Sequence, residues 1–105
     1  MNDVLKELAA TIASRRSAGT DTSWTAKLLS QGVERCAKKF GEEAVEAALA
    51  AMSGDKAHLK AEAADVLYHL LVLLEVAGVS FEDVLLELSS RQNRSGLEEK
   101  ASRGN

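Results

Sequence analysis

The sequence predicts an all-α fold because of its apolar composition, its lack of proline and the spacing of its apolar residues. The chain of 105 residues is 46% hydrophobic but only 4% aromatic, so Ala, Leu and Val must form its core, and these suit closely packed helices. No proline interrupts a helix, and apolar residues recur at helical spacing. We expect one domain over residues 1–91 and a polar, flexible C-terminal tail over residues 92–105.

The first third of the chain predicts a helix over residues 3–18 and a shorter one after it. An apolar stripe runs along the first helix, and Gly19 ends it. Ser23 is suited to cap the second helix, which carries Trp24. Gly32 then separates the second helix from the third.

The remaining sequence predicts three more helices. Two long ones cover residues 33–52 and 56–77, and the tight connection between them, residues 53–55, is typical of two antiparallel helices. Gly78 ends the second long helix. The last helix covers residues 80–91, with a serine cap and acidic residues in its first turn.

Charge and hydropathy exclude several classes of function. A net charge of −3 gives no electrostatic case for nucleic-acid binding, so we predict no nucleic-acid partner, and an acidic chain that handled phosphates would need a cation. The N-terminus lacks the pattern of a signal peptide. The most apolar run, residues 66–77, is shorter than the ~20 residues that cross a bilayer. With Cys36 as its single cysteine the chain suits a reducing compartment, and we predict a cytoplasmic protein without membrane contact.

The helix over residues 56–77 also predicts self-association. Its apolar residues lie on nearly every side of it: Val66, Leu67, Leu70, Leu71, Val72, Leu73, Leu74 and Val76. A helix that is apolar all round must be covered all round, which the few helices of a small chain can hardly do. We expect a homodimer or higher homo-oligomer. A central helix inside a compact monomer is the alternative.

Two pairs of acidic residues carry the candidate chemistry. Residues three apart on a helix project from one face, so Glu43 pairs with Glu46, and Glu62 pairs with Asp65. The antiparallel connection allows the two pairs to face each other. Converging carboxylates repel unless a cation lies among them, and oxygen ligands are those that Mg²⁺ prefers. Ordinary solvated acids on helix faces are the alternative.

Two histidines extend the second acidic pair and raise the alternative of a di-iron site. His58 lies four residues before this pair and His69 four residues after it. Di-iron bundles use a Glu-x-x-His spacing, which this sequence lacks, so packed or hydrogen-bonding histidines are the simpler interpretation. We also expect Cys36 to be a small buried side chain and Trp24 to lie in the core.

The spacing of the acids resembles the signature of the all-α nucleotide pyrophosphohydrolases, the superfamily that includes MazG and the dimeric dUTPases. The motif is Glu42-Glu43-x-x-Glu46, followed after a turn by Glu62-x-x-Asp65. The flanking sequence is similar to the phosphoribosyl-ATP pyrophosphatase family in four segments: residues 23–29, 38–47, 64–74 and 78–84. The resemblance covers residues 4–91, with Trp24 where tyrosine is expected.

The resemblance implies a MazG-like helical bundle that hydrolyses phosphoribosyl-ATP to phosphoribosyl-AMP and pyrophosphate, the second step of histidine biosynthesis. It implies Mg²⁺ ligands at four positions: Glu43, Glu46, Glu62 and Asp65. Glu42 is then a candidate for a more distant metal contact or for a base that orients water. Lys27 and Lys39 are candidates for phosphate contacts.

The same substrate carries a second phosphate, which needs a basic group away from the acids. Lys27 or the Arg15-Arg16 pair are the candidates for this contact. A helical interaction module that presents its acids to a basic partner is the non-enzymatic alternative.

Overall fold

The computed structural model describes residues 3–92, which form five α-helices and one short 3-10 turn. In chain order the helices are α1 (Val4–Ser14), α2 (Trp24–Ser30), α3 (Gly32–Ser53), α4 (Lys56–Ala77) and α5 (Phe81–Gln92). No strand occurs in this part of the chain, and the prediction of an all-α fold is confirmed. Most of the predicted tail, residues 93–105, lies outside the described residues.

The first helix is shorter than the predicted span of residues 3–18. α1 ends at Ser14, and Arg15–Ser17 continue as a 3-10 turn in which the amide of Ala18 donates to the carbonyl of Arg15 at 3.0 Å. A tertiary contact holds this turn. The guanidinium of Arg16 forms an ion pair with the carboxylate of Glu75 on α4 and also donates to the backbone carbonyl of the same residue.

Serine caps begin α2 and α5, as the sequence predicts. The Ser23 hydroxyl accepts a hydrogen bond from the amide of Ala26 at 3.0 Å. The Ser80 hydroxyl accepts one from the amide of Asp83 at the same distance. Each cap satisfies an amide that the first helical turn leaves without a backbone partner.

The connection between α3 and α4 consists of Gly54 and Asp55. Gly54 has a φ of 80°, in the left-handed region that glycine adopts without steric cost. Asp55 then caps α4, and its Oδ1 accepts a hydrogen bond from the amide of His58 at 3.0 Å. With so short a connection α3 and α4 pack side by side, which confirms the predicted antiparallel hairpin.

The core lies where α1, α2 and α3 pack against α4. Its buried members are Ile12, Leu28, Leu29, Cys36, Leu71 and Val72. Cys36 is buried as predicted, and its thiol donates to the carbonyl of Leu28 at 3.2 Å. The prediction that Trp24 lies in the core is wrong, since its side chain is 57% exposed. It begins a helix of seven residues whose buried face is formed by other side chains: Ala26, Leu28 and Leu29.

The α4 helix is largely covered within the chain, although it is apolar on nearly every side. The helices α1, α2, α3 and α5 all contact it, and Leu67 is its only exposed large apolar residue, at 44%. A larger uncovered surface lies on α3, where Val45, Leu49 and Met52 are each more than half exposed. Within residues 3–92 no single helix has the length and hydropathy to cross a membrane. Only α4 and α5 together, bent by 114°, meet those criteria.

Candidate active site

Three acidic side chains meet across the α3–α4 hairpin. Glu43 comes from α3, whereas Glu62 and Asp65 come from successive turns of α4, and each contributes a carboxylate oxygen within 4.8 Å of the other two. The three-residue spacing on α4 places its two acids on the face that packs against α3. The hairpin therefore converts two distant motifs into one carboxylate cluster, which we call the acid cluster.

Glu43 is the buried member of the acid cluster, at 9% exposure. Burial raises the pKa of its carboxyl, and the negative charges of Glu46, Asp65 and Glu62 raise it further, while the positive charge of Lys39 opposes them. The fold thus holds a carboxyl group where its ionised form is unfavourable. A positive ligand would remove that cost.

Glu62 is the member of the acid cluster with an unsatisfied carboxylate oxygen. Its Oε2 lies 3.2 Å from Nε2 of His58, but its Oε1 is buried without a hydrogen-bond partner among the described residues. Buried carboxylate oxygens are normally satisfied, because an unsatisfied one carries a desolvation penalty. An orphaned oxygen beside two further carboxylates fits a hard divalent cation such as Mg²⁺.

The other two predicted acids lie beside the acid cluster. Glu46 is exposed and borders a cleft of about 200 Å³ together with Glu62 and His58, and its charge raises the pKa of Glu43. Glu42 is exposed and lines a different cleft. The structure therefore brings three of the four predicted metal ligands into one group and leaves Glu46 one helical turn away.

The two histidines do not join the acid cluster. Neither offers a ring nitrogen to the group of close ligand atoms found among residues 3–92. His69 is buried edge-on to the ring of Tyr68, with the centroids 5.0 Å apart. Burial lowers the pKa of His69, the charge of Lys39 lowers it further, and Asp65 opposes both. The arrangement gives the di-iron alternative no support.

A second feature is a cleft of about 250 Å³ between α2 and the first half of α3, which we call the basic cleft. Its lining combines an aromatic ring with three basic side chains: Trp24, Leu28, Gln31, Arg35, Lys38, Lys39 and Glu42. Lys39 connects the basic cleft with the acid cluster, because its charge also acts on Glu43 and His69.

Among the predicted phosphate contacts, Lys39 lies at the site and Lys27 does not. Lys27 is exposed on α2 and lines neither the basic cleft nor the cleft beside Glu46. The sequence-based reasoning overlooked Arg35 and Lys38. The available signal was that Arg35 lies three residues before Lys38 and four before Lys39, which places the three cations along one edge of a helix.

The Glu43→Gln variant should stabilise the metal-free protein at neutral pH. Because the folded chain raises the pKa of Glu43 above its unfolded value, the stabilising contribution is present below the unfolded pKa and is lost as the pH rises through the folded pKa. Glutamine removes this loss. We expect a melting temperature higher by on the order of 4 °C at pH 7 in chelator, with the gain disappearing below about pH 4.3.

Thermal unfolding by circular dichroism at several pH values measures this effect. Glu42→Gln is the matched control, since its side chain is exposed on the neighbouring position of the same helix. A Glu43→Gln protein that is less stable than the parent at pH 7, or equally stable at every pH, would show that Glu43 is not under electrostatic stress.

The chain is similar to one known protein family over most of its length. A family model described as phosphoribosyl-ATP pyrophosphohydrolase matches residues 5–92. A phosphoribosyl-ATP pyrophosphatase from Paracoccus denitrificans is 61% identical over 99 residues, which cover 94% of this chain and 92% of the relative. The protein of that name from Dinoroseobacter shibae is 60% identical over 100 residues, covering 95% and 98%. One from Cereibacter sphaeroides (strain ATCC 17025 / ATH 2.4.3) is 57% identical over 101 residues, covering 96% and 98%.

Proposed function

This chain belongs to the phosphoribosyl-ATP pyrophosphohydrolase family, and from that premise we propose that it hydrolyses phosphoribosyl-ATP with the help of Mg²⁺. The products would be phosphoribosyl-AMP and pyrophosphate, and the reaction would be the second step of histidine biosynthesis, in the cytoplasm. The observation that carries the proposal is the family match over residues 5–92, which includes every residue of the acid cluster. Release of pyrophosphate from phosphoribosyl-ATP by the purified chain is the direct test.

The acid cluster supplies the residues that would hold Mg²⁺. Glu43, Glu62 and Asp65 form its core, and we assign Glu46 as a fourth ligand because it borders the same part of the hairpin as Glu62. A bound Mg²⁺ would neutralise charge on the triphosphate and lower the pKa of a water molecule. The buried, unpaired Oε1 of Glu62 supports this assignment.

The remaining site residues would bind and orient the reacting groups. Lys39 lies between the acid cluster and the basic cleft, where a compact ammonium group suits a phosphate oxyanion. Glu42, exposed at the edge of the basic cleft and outside the acid cluster, would accept a hydrogen bond from the attacking water. Burial and the charge of Lys39 lower the pKa of His69 and so favour its neutral form.

The proposed hydrolysis forms a bond between a water oxygen and phosphorus and breaks a phosphoanhydride bond. A water oxygen attacks phosphorus, a phosphoanhydride bond breaks, and pyrophosphate leaves with the electron pair of that bond. Because the chain has little covalent chemistry to perform, its residues act by positioning and by charge. The non-enzymatic alternative, acids presented to a basic partner, has less support, because Glu43 is buried and cannot be presented.

We further infer that two or more copies of the chain associate. The basis differs from the sequence-based expectation, since α4 is largely covered and the uncovered apolar surface lies on α3. Val45, Leu49 and Met52 follow one another at spacings of four and three residues and therefore share a face. An exposed apolar stripe on a helix is typical of a surface that another subunit covers.

Leu49→Glu should convert the associated protein to monomers, because a charge in an apolar interface loses its water without gaining a partner. Sedimentation at micromolar concentration measures the change. Thr11→Glu, which adds the same charge to an exposed position of α1, should leave the assembly intact. A parent chain that sediments as an 11.2 kDa species would refute association. Leu71 is unsuitable for this test because it is buried inside the chain, where a charge would unfold the monomer.

A further inference from the structure

The basic cleft carries more positive charge than its surroundings compensate. Arg35, Lys38 and Lys39 project from adjacent turns of α3, and none of them forms an ion pair with a described carboxylate. Like charges three and four residues apart on a helix repel one another. An anion in the basic cleft would reverse that repulsion.

Trp24 adds a second and independent feature to the basic cleft. It is the only tryptophan of the chain, and more than half of its surface is exposed on the wall opposite the basic residues. A large aromatic face next to cations suits a ligand with a flat ring and a phosphate, since the ring stacks and the phosphate accepts charge-assisted hydrogen bonds. The orientation of α2 is fixed by the bond of 2.6 Å between the hydroxyls of Thr25 and Tyr68.

The position of the basic cleft relative to the acid cluster restricts the ligand further. Arg35 and Glu43 lie on the same helix, and eight residues of α-helix span about 12 Å. Lys39 lies midway and is shared by both sites. A ligand that occupies both sites must therefore span about 12 Å and present an anionic group to the cations of the basic cleft.

We propose that the basic cleft binds the adenine and the phosphoribosyl phosphate of the substrate, with Trp24 stacked on the adenine ring and Arg35 and Lys38 on the remote phosphate. This inference rests on the proposed function for the identity of the ligand. Arg35 and Lys38 replace Arg16 as candidates for binding the remote phosphate, because the Arg16 guanidinium already forms an ion pair with Glu75. They also replace Lys27, which does not line the basic cleft.

The kinetic test compares phosphoribosyl-ATP with ATP, which lacks the remote phosphate. The double variant Arg35→Gln/Lys38→Gln should lose about a hundredfold in kcat/KM with phosphoribosyl-ATP and less than about threefold with ATP. Trp24→Ala should lose about tenfold or more with both substrates, whereas Trp24→Tyr should recover most of the activity. Lys60→Gln, at an exposed position of α4, is the matched control and should behave like the parent.

A binding test without turnover separates this inference from the proposed function. Trp24 fluorescence should be quenched by phosphoribosyl-AMP in chelator, and the double variant should bind that ligand at least about tenfold more weakly while binding AMP as the parent does. Circular dichroism confirms that each variant is folded.

The outcomes of the two tests are distinguishable. A parent chain that binds phosphoribosyl-AMP in this way but does not hydrolyse phosphoribosyl-ATP refutes the proposed function and supports the basic cleft. A parent that hydrolyses phosphoribosyl-ATP, with a double variant that keeps its preference for that substrate over ATP, overturns the inference about the basic cleft. Equal losses of the double variant on both substrates also overturn it, because the basic residues would then act on the triphosphate.

Discussion

Glu62→Gln should lower kcat for phosphoribosyl-ATP by at least about a thousandfold, the scale expected when a site loses a metal ion that stabilises several kcal/mol of developing charge. Glutamine has nearly the volume of glutamate, so the hairpin should remain folded. It lacks the negative charge, however, and its amide cannot replace a carboxylate whose Oε1 is buried without a partner. The measurement is pyrophosphate release at saturating substrate and Mg²⁺.

Two controls make this experiment specific to the acid cluster. Glu34→Gln removes an acid from the exposed surface of the same α3 helix and should leave kcat unchanged. Chelation of the parent protein should abolish turnover, and excess Mg²⁺ should restore it. Parental activity in Glu62→Gln, or full turnover in saturating chelator, is incompatible with a metal ion held by Glu43, Glu62 and Asp65.

Phosphoribosyl-ATP should be preferred over ATP by at least about a hundredfold in kcat/KM, because the remote phosphate offers binding energy that plain ATP lacks. That energy can position the triphosphate over the acid cluster. Arg35, Lys39 and Glu43 follow one another along α3, and Lys39 belongs to the basic cleft and acts on Glu43. One ligand can therefore occupy both sites.

The measurement is initial-rate kinetics with phosphoribosyl-ATP, ATP, dUTP and dCTP under one set of conditions. A house-cleaning nucleotide pyrophosphohydrolase would recognise the base and accept a free nucleoside triphosphate. Similar efficiency with ATP, or release of orthophosphate in place of pyrophosphate, would contradict the assignment of phosphoribosyl-ATP as substrate while leaving the family membership intact.

The helices were largely predictable because the signals for them are local. Serine caps, the absence of proline and the glycines at residues 54 and 78 each act through neighbouring backbone, and the bounds of α3 and α4 agree with the predictions within one residue. The 3-10 turn after α1 was not predictable, because the contact that holds it joins Arg16 to Glu75, 59 positions away.

The sequence predicts that the acids of each pair share one face of their helix. The family resemblance drawn from this motif is confirmed by the comparisons. Burial and side-chain direction were not predictable. Spacing makes Glu43 and Glu46 equivalent, but packing against α4 buries Glu43 and leaves Glu46 exposed. Composition likewise assigned Trp24 to the core, because large aromatic residues are usually buried. Its position at the start of a two-turn helix puts it on the wall of a cleft instead.

The arrangement of charges along α3 has a consequence for how the chain folds. The helix has no side-chain hydrogen bond at its N-cap and no basic residue in its last turn, and Lys38 and Lys39 precede Glu42 and Glu43 in the less favourable order. Each end of α3 therefore lacks about 0.3–1 kcal/mol of stabilisation that a side-chain cap or a favourably placed charge would add. Because tertiary packing supplies most of the stability of helices in proteins, α3 depends mainly on its packing against α4. The basic cleft and the acid cluster should accordingly assemble together, in the same cooperative event that closes the hairpin.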